Sequence, residues 1–199
     1  GKDPGCIGAF VSEMPAHGAA PGQRRKVAID MSKAYIKGVA EHLPGAEISF
    51  DHFHVMQLCG KACDQVRKDV ARRVGGLPKG ALWSLRGNRD RLTEAAAAQR
   101  DELCRQYSEI GRALAMREYL QDAWRYTNAD DAREHLEHFC SWAQRSRLQP
   151  FVKLGRTIRK HMEGILGYYP DYLTSAMIEA VNGTIQQARR RAKGFRNFK

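Results

Sequence analysis

The spacing of apolar positions changes twice between residues 27 and 50. An apolar run at 27–30 indicates a short buried strand that ends in Asp30. From Ser32 the apolar residues recur every three or four positions, which predicts a helix that Ser32 caps and that Pro44 and Gly45 end. Residues 46–50 then alternate between apolar and polar, as in a second strand. A strand, a helix and a strand this close together predict a compact βαβ unit with parallel strands.

The rest of the chain has the spacing of helices. A long amphipathic helix is predicted to run from Val55 to Val74 and to end at a glycine-rich loop, 75–80. Several helices are predicted over 88–166, and a last one begins near Thr174 and ends at a glycine. The pattern therefore predicts an α/β fold dominated by helices, in which a small strand region precedes a large helical one.

Weaker signals complete this organisation. Residues 1–22 mix Gly, Pro and Ala around one apolar patch, which indicates a short helix between loops. Breaks between helices are predicted near 127–130 and at 149–150, and a loop is predicted at 168–171.

The net charge of the chain indicates what kind of partner it binds. The 199 residues include 33 Lys and Arg against 22 Asp and Glu, which gives a formal net charge of +11. A field of this sign favours a polyanion, most simply nucleic acid, although charge that only aids solubility is the alternative. A hydrophobic content of 43% excludes a collagen-like or wholly disordered chain. No apolar run approaches the roughly 20 residues that cross a bilayer, so no membrane partner is expected.

The cysteines indicate a compartment. Five are scattered along the chain, and the amino terminus lacks the pattern of a signal peptide. An odd number of cysteines in such a chain predicts reduced thiols in a cytosol. We therefore expect a cytoplasmic protein associated with the nucleoid.

Two carboxylates follow the predicted strands. Asp30 and Asp51 each come directly after a strand. The carboxyl ends of parallel strands are where ligands collect in open α/β sheets, and carboxylates there suit a hard cation such as Mg²⁺. The alternative is that each aspartate caps the helix that follows it.

Histidines and cysteines near Asp51 raise a second possibility. His52 and His54 adjoin this carboxylate, and Cys59 and Cys63 follow within the predicted helix. These four side chains are candidate zinc ligands. Cysteines four residues apart are equally typical of a buried helix face, where they act as small hydrophobic residues.

Basic residues crowd the carboxyl terminus, where no acid follows Glu179. They are interleaved with two phenylalanines and exceed what helix capping requires, so the segment is predicted to contact phosphates. The cations are Arg189, Arg190, Arg191, Lys193, Arg196 and Lys199.

Two segments resemble the DDE transposases of bacterial insertion sequences, in particular the ISL family with an RNase H-like DDE domain. The first, residues 27–58, reads VAIDMSKAYIKGVAEHLPGAEISFDHFHVMQL. It has the Asp-Met, Ala-Tyr, Leu-Pro-x-Ala and Asp-x-Phe-His elements in order. The second, residues 177–198, reads MIEAVNGTIQQARRRAKGFRNF and has a glutamate, an asparagine, a basic run and Gly-Phe-Arg. The helical stretch between them is similar to the family in length and character.

The resemblance implies roles for individual residues. Asp30 and Glu179 correspond to the second and third acids of the DDE triad, which would hold Mg²⁺ or Mn²⁺. Asp51 and His54 correspond to an Asp-x-x-His element, and these two residues and Asn182 have supporting roles. The implied activity is metal-dependent phosphoryl transfer on DNA during transposition, with the element ends and the target as DNA partners.

The resemblance also implies how the chain is divided. A partial RNase H-like core would occupy 1–54, a helical insertion 55–170, and a helix completing the core 171–199. The first triad aspartate has no counterpart here, because Asp3 has no strand around it. We therefore expect a carboxy-terminal part of a transposase that does not perform strand transfer alone. An exposed sheet edge would also make it prone to associate as a homo-oligomer.

Two other functions stay open at this point. The chain is alternatively an inactive, truncated remnant that only binds DNA through its basic helices, or a zinc-dependent regulator. A titration with divalent metals separates the three. Weak binding at Asp30 and Glu179 favours the transposase, tight zinc favours the regulator, and no metal favours the remnant.

Overall fold

The computed structural model describes residues 5–17 and 26–169, which form nine α-helices and two β-strands. The chain divides into two compact units, with the boundary between Asp51 and His52. We name the described residues up to Asp51 the strand unit and residues 52–169 the helical unit. The predicted domain bounds stay a prediction, because residues 171–199 lie outside the described part of the chain.

The strand unit has the predicted strand–helix–strand order. Its two strands pair in parallel, with Val27 opposite Ile48 and Ile29 opposite Phe50. The predicted parallel βαβ unit is therefore confirmed, as is a short helix near the amino terminus. The RNase H-like topology stays a prediction, since two strands fit many α/β folds. The elements are α1 (Gly5–Glu13), β1 (Lys26–Ile29), α2 (Lys33–His42) and β2 (Glu47–Phe50).

Local hydrogen bonds explain where α2 begins and ends. The Ser32 hydroxyl accepts a hydrogen bond from the Tyr35 N–H over 3.3 Å, so Ser32 is the predicted cap. After His42 the chain turns through Gly45, whose φ of +84° suits glycine. Val39 lies on the buried face of this helix, as the apolar spacing predicts.

The helical unit begins one residue after β2. Its first helix starts at His52 rather than at the predicted Val55, and it ends as predicted at Val74. Gly75 and Gly76 follow with positive φ angles and open the predicted loop. The helices are α3 (His52–Val74), α4 (Ala81–Arg86), α5 (Glu94–Gln106), α6 (Ser108–Asp122), α7 (Ala129–Arg145), α8 (Gln149–Lys160) and α9 (Met162–Leu166).

Four of these helices form the centre of the helical unit. Helix α3 packs against α6 and α8, and α8 packs against α7. Phe139, Phe151 and Met116 are wholly buried there. Helices α7 and α8 approach closely at Gly155, where an added Cβ would lie only 2.9 Å from the Ala143 Cβ. No helix in the described ranges is long and apolar enough to cross a membrane.

Arginines from two other helices hold the end of the short helix α4. Arg117 donates hydrogen bonds to the carbonyl oxygens of Leu85 (3.0 Å) and Gly87 (3.3 Å). Arg100 donates to the Gly87 carbonyl over 3.1 Å and pairs with Glu118. Arg100 is buried although it is charged, because both partners satisfy its guanidinium.

Candidate active site

The carboxylates of the strand unit follow residues that pair across the sheet. Ile29 lies opposite Phe50, and the Asp51 N–H donates to the Ile29 carbonyl oxygen over 3.3 Å. Asp30 and Asp51 therefore stand at the same edge of the sheet, on strands about 4.8 Å apart. Their predicted position at the carboxyl ends of two parallel strands is confirmed.

Asp30 is held by the backbone that follows it. Its Oδ1 accepts a hydrogen bond from the Ser32 N–H over 2.8 Å, which closes an Asx turn leading into α2. The cap of α2 is Ser32 rather than Asp30, so the capping alternative does not describe Asp30. The sequence interpretation missed this contact, which the Asp-x-Ser spacing could have indicated.

Asp51 has a different environment from Asp30. Its side chain is only 1% exposed, whereas that of Asp30 is half-buried. A carboxylate shielded from solvent is less accessible to a substrate than one at the surface. Of the two carboxylates, that of Asp30 is therefore the more accessible one.

His54 belongs to the helical unit. It lies in the first turn of α3, with its ring centroid 5.8 Å from that of Phe53. The ring is partly exposed.

The candidate zinc ligands do not form a site. The His52 ring lies among aromatic rings, with its centroid 5.5 Å from that of Trp124. Cys59 is wholly buried, and the Cys63 thiol donates to the Ala113 carbonyl oxygen at 3.5 Å. Across residues 5–17 and 26–169, no three His, Cys, Asp or Glu side chains are grouped to hold a metal. The zinc interpretation is wrong, and Cys59 packs as a small hydrophobic residue of α3.

The remaining predicted site residues lie outside the described residues. Their roles stay predictions, and they include the third acid of the triad and all the cations of the carboxyl terminus. They are Glu179, Asn182, Arg189, Arg190, Arg191, Lys193, Arg196 and Lys199.

Comparison with known proteins identifies the family. Residues 1–199 match the family described as Transposase (DDE_Tnp_ISL3). A transposase for insertion sequence element IS1001 from Bordetella parapertussis is 33% identical over 197 residues, which cover 95% of this chain and 48% of that protein. A transposase for insertion sequence element IS1557 from Mycobacterium tuberculosis is 27% identical over 224 residues, which cover 99% of this chain and 50% of that protein.

The chain spans about half the length of these curated relatives. No solved structure matches it. The match over the whole chain confirms the resemblance that the motifs at 27–58 and 177–198 predict. The chain therefore belongs to the ISL3 family of DDE transposases.

Proposed function

We propose that this chain contributes catalytic residues to a transposase that acts by metal-dependent phosphoryl transfer on DNA. The observation that carries the proposal is the pair of carboxylates, Asp30 and Asp51, at neighbouring ends of two registered parallel strands. Membership of a transposase family supports it. By the resemblance, Asp30 and Glu179 share a metal site, and Asp51, His54 and Asn182 support it.

The donor set fits Mg²⁺ or Mn²⁺. Asp30 uses one carboxylate oxygen for the Ser32 N–H, and its second oxygen, which has no hydrogen-bond partner among the described residues, suits a cation. Carboxylate oxygen is the ligand that hard divalent cations prefer. When bound, such ions favour deprotonation of the attacking water or hydroxyl and offset charge on the phosphodiester.

The protein's own contribution at Asp30 is orientation. Because the Ser32 N–H fixes Oδ1 before any ligand arrives, the carboxylate needs little reordering when it meets a cation. The backbone of Ser32 is itself fixed, because its carbonyl oxygen accepts a hydrogen bond from the Ile36 N–H over 3.1 Å in the first turn of α2. The helix start therefore positions the carboxylate.

DNA is the proposed substrate, and the basic carboxyl terminus is its proposed binding segment. The net charge of +11 supports a polyanionic partner. Replacing Arg189, Arg190 and Arg191 by Gln should reduce the salt dependence of binding to duplex DNA, by roughly 0.9 for each phosphate that these side chains neutralise. An unchanged salt slope would place the DNA-binding surface elsewhere. The same proposal includes three further points. The bound DNA is that of the element ends and the target, the protein forms a homo-oligomer, and it is located at the nucleoid.

Calorimetry with Mn²⁺ tests the metal site. Asp30→Asn should weaken Mn²⁺ binding about tenfold or more. Asp90→Asn, at an exposed acid, should bind as the unaltered chain does, and both variants should keep its unfolding midpoint. Loss of Mn²⁺ binding in Asp51→Asn but not in Asp30→Asn would assign the metal to Asp51. Metal-independent DNA binding by a chain that takes up no Mn²⁺ would instead favour the non-catalytic remnant.

A further inference from the structure

A cavity of about 590 Å³ lies in the helical unit between α3, α4 and α6. This volume is within the range of about 300–1,000 Å³ that is usual for small-ligand sites. Aliphatic side chains from α4 and α6 make up much of its wall, and they are Leu82, Leu85, Ile110, Ala113 and Leu114.

Cations also line this cavity and outnumber acids there. Five basic side chains stand against one carboxylate, that of Asp64. Asp64 is shared between Arg67 and Lys68, each 2.9 Å away, so it cannot neutralise the remaining cations. Arg86 is exposed and has no ion-pair partner among the described residues. The basic residues are Lys61, Arg67, Lys68, Arg86 and Arg117.

Helix α4 also presents an exposed aromatic ring. Trp83 is 72% exposed, although Leu82 before it and Arg86 after it both line the cavity. Trp83 and Arg86 are three residues apart and therefore lie on the same face of α4. Lys79 and Arg91 flank this helix, are exposed, and likewise have no ion-pair partner in the described part of the chain.

The combination of these features restricts the ligand. An aliphatic ligand or apolar peptide would leave the cations without a counter-charge. A polyanion with no flat apolar group would leave the aliphatic wall unused. A free mononucleotide would contact both the aliphatic wall and the cations of the cavity, but it would not extend to Trp83. A DNA strand supplies bases for both places and phosphates between them, and aromatic side chains stack on bases whatever their sequence.

We propose that the cavity binds an unpaired nucleotide of a DNA strand, with its base against the aliphatic wall and a flanking phosphate at Arg86. Trp83 stacks on a neighbouring base that the displaced nucleotide leaves exposed. The inference rests on the proposed function, since it takes DNA as the substrate. A base that is already unpaired costs less to displace, so the site selects distorted DNA.

Cys63 gives this cavity a chemical reporter. Its side chain lines the cavity and is partly accessible. A hydrogen bond from Cys59 holds the pKa of the Cys63 thiol below its ordinary value, and the charge of Arg117 acts in the same direction. Burial raises the pKa of Cys104 and Cys140. A thiol-reactive group carried into the cavity should therefore react at Cys63 first.

Fluorescence anisotropy with two labelled duplexes tests the proposal. One duplex is fully paired, and the other has a single extrahelical thymine at its centre. The unaltered chain should bind the second about fivefold or more tightly than the first. Trp83→Ala and Arg86→Gln should abolish this preference. The matched controls are Phe10→Ala, at an exposed aromatic residue, and Lys160→Gln, at an exposed cation. Both should keep the preference.

The outcomes separate the two proposals. Equal binding of both duplexes by the unaltered chain would overturn this inference and leave the proposed function standing. A preference that survives Trp83→Ala and Arg86→Gln would also overturn it. Failure to bind either duplex would overturn DNA as the substrate, and the inference with it.

A crosslink locates the nucleotide directly. The extrahelical thymine carries an activated disulfide on a short tether, and Cys6 is replaced by Ser. The Cys63 thiolate attacks the tethered sulfur, a new S–S bond forms, and the activating thiol leaves. Mass spectrometry should find the DNA on Cys63, and Cys63→Ser should abolish the crosslink. Equal capture by Cys104, or equal capture when the tether is on a paired base, would overturn the assignment.

Discussion

The strand unit and the helical unit position their candidate functional groups by different means. In the strand unit, two strands of four residues each and one Asx turn place Asp30 through backbone hydrogen bonds. In the helical unit, the cavity exists because α3, α4 and α6 pack around it. Altering a single hydrogen bond should therefore affect the first site, whereas altering packing should affect the second.

The largest expected effect comes from the core of the helical unit. Phe139 is wholly buried, so Phe139→Ala should lower the free energy of unfolding by about 3–5 kcal/mol. Phe53→Ala is the matched control, because Phe53 is 51% exposed in the same unit and should change stability by less than about 0.5 kcal/mol. Urea titrations followed by circular dichroism measure both. Equal losses would contradict a helical unit stabilised by its buried side chains.

Two glycine substitutions test how closely the helices of the helical unit pack. Gly155→Ala should cost about 1–3 kcal/mol, because its Cβ would lie 2.9 Å from the Ala143 Cβ. Gly60→Ala, in the middle of α3, meets nothing within 4 Å and should stabilise by roughly 0.5–1 kcal/mol. Thermal unfolding measures both changes in stability, the loss in Gly155→Ala and the gain in Gly60→Ala. If Ala143→Gly fails to relieve the cost of Gly155→Ala, the close approach of α7 and α8 is not its source.

Ser32 tests the hydrogen bonds of the strand unit, with a smaller effect on stability. Ser32→Ala removes the cap but keeps the N–H that holds Asp30, so it should cost about 1 kcal/mol and leave Mn²⁺ affinity unchanged. Ser32→Pro fits the φ of −73° but removes that N–H as well. It should weaken Mn²⁺ binding in calorimetry. Equal Mn²⁺ affinity in the two variants would show that the N–H does not orient Asp30.

The smallest expected effect is a dependence on pH within the helical unit. The Glu109 backbone N–H, at the start of α6, and Arg73 at 2.8 Å hold the pKa of the Glu109 carboxyl below its ordinary value. This carboxyl should stabilise the fold above its unfolded pKa of about 4.3, and the stabilisation should be lost as the pH falls through the lower folded value. This titration covers about pH 6 to pH 3. Over that range the urea midpoint should fall less in Glu109→Gln than in the unaltered chain. Glu102→Gln, at a more exposed ion pair, is the control, and an equal change in both variants would contradict the assignment.

Local signals made the strand unit predictable. The cap at Ser32, the turn at Gly45 and the alternation at 46–50 act over a few residues, and each is found where the sequence predicts it. The same holds for the break at 127–130, where Asn128 caps α7 by accepting from the Asp131 N–H over 2.8 Å.

Features that depend on interactions between distant residues were not predictable. The boundary between α5 and α6 falls at Tyr107, with neither Gly nor Pro to mark it. Arg147 has a positive φ of 60° between α7 and α8, a conformation that its residue type does not predict. At the candidate sites, the positions of Asp30 and Asp51 followed from strand ends. The cavity did not, because three helices from separate parts of the sequence enclose it.

The way α4 is held has a consequence for how this cavity varies among related chains. Six residues are too few for a helix to persist alone, so Arg100 and Arg117 decide where its Leu82 and Arg86 stand. A substitution at Arg117 would therefore reshape the cavity wall and alter what Arg86 contributes. The two positions should be epistatic, with the effect of replacing Arg86 depending on whether Arg117 is present. A substitution on α6 would then change the ligand preference of the cavity, although the residues of α4 stay the same.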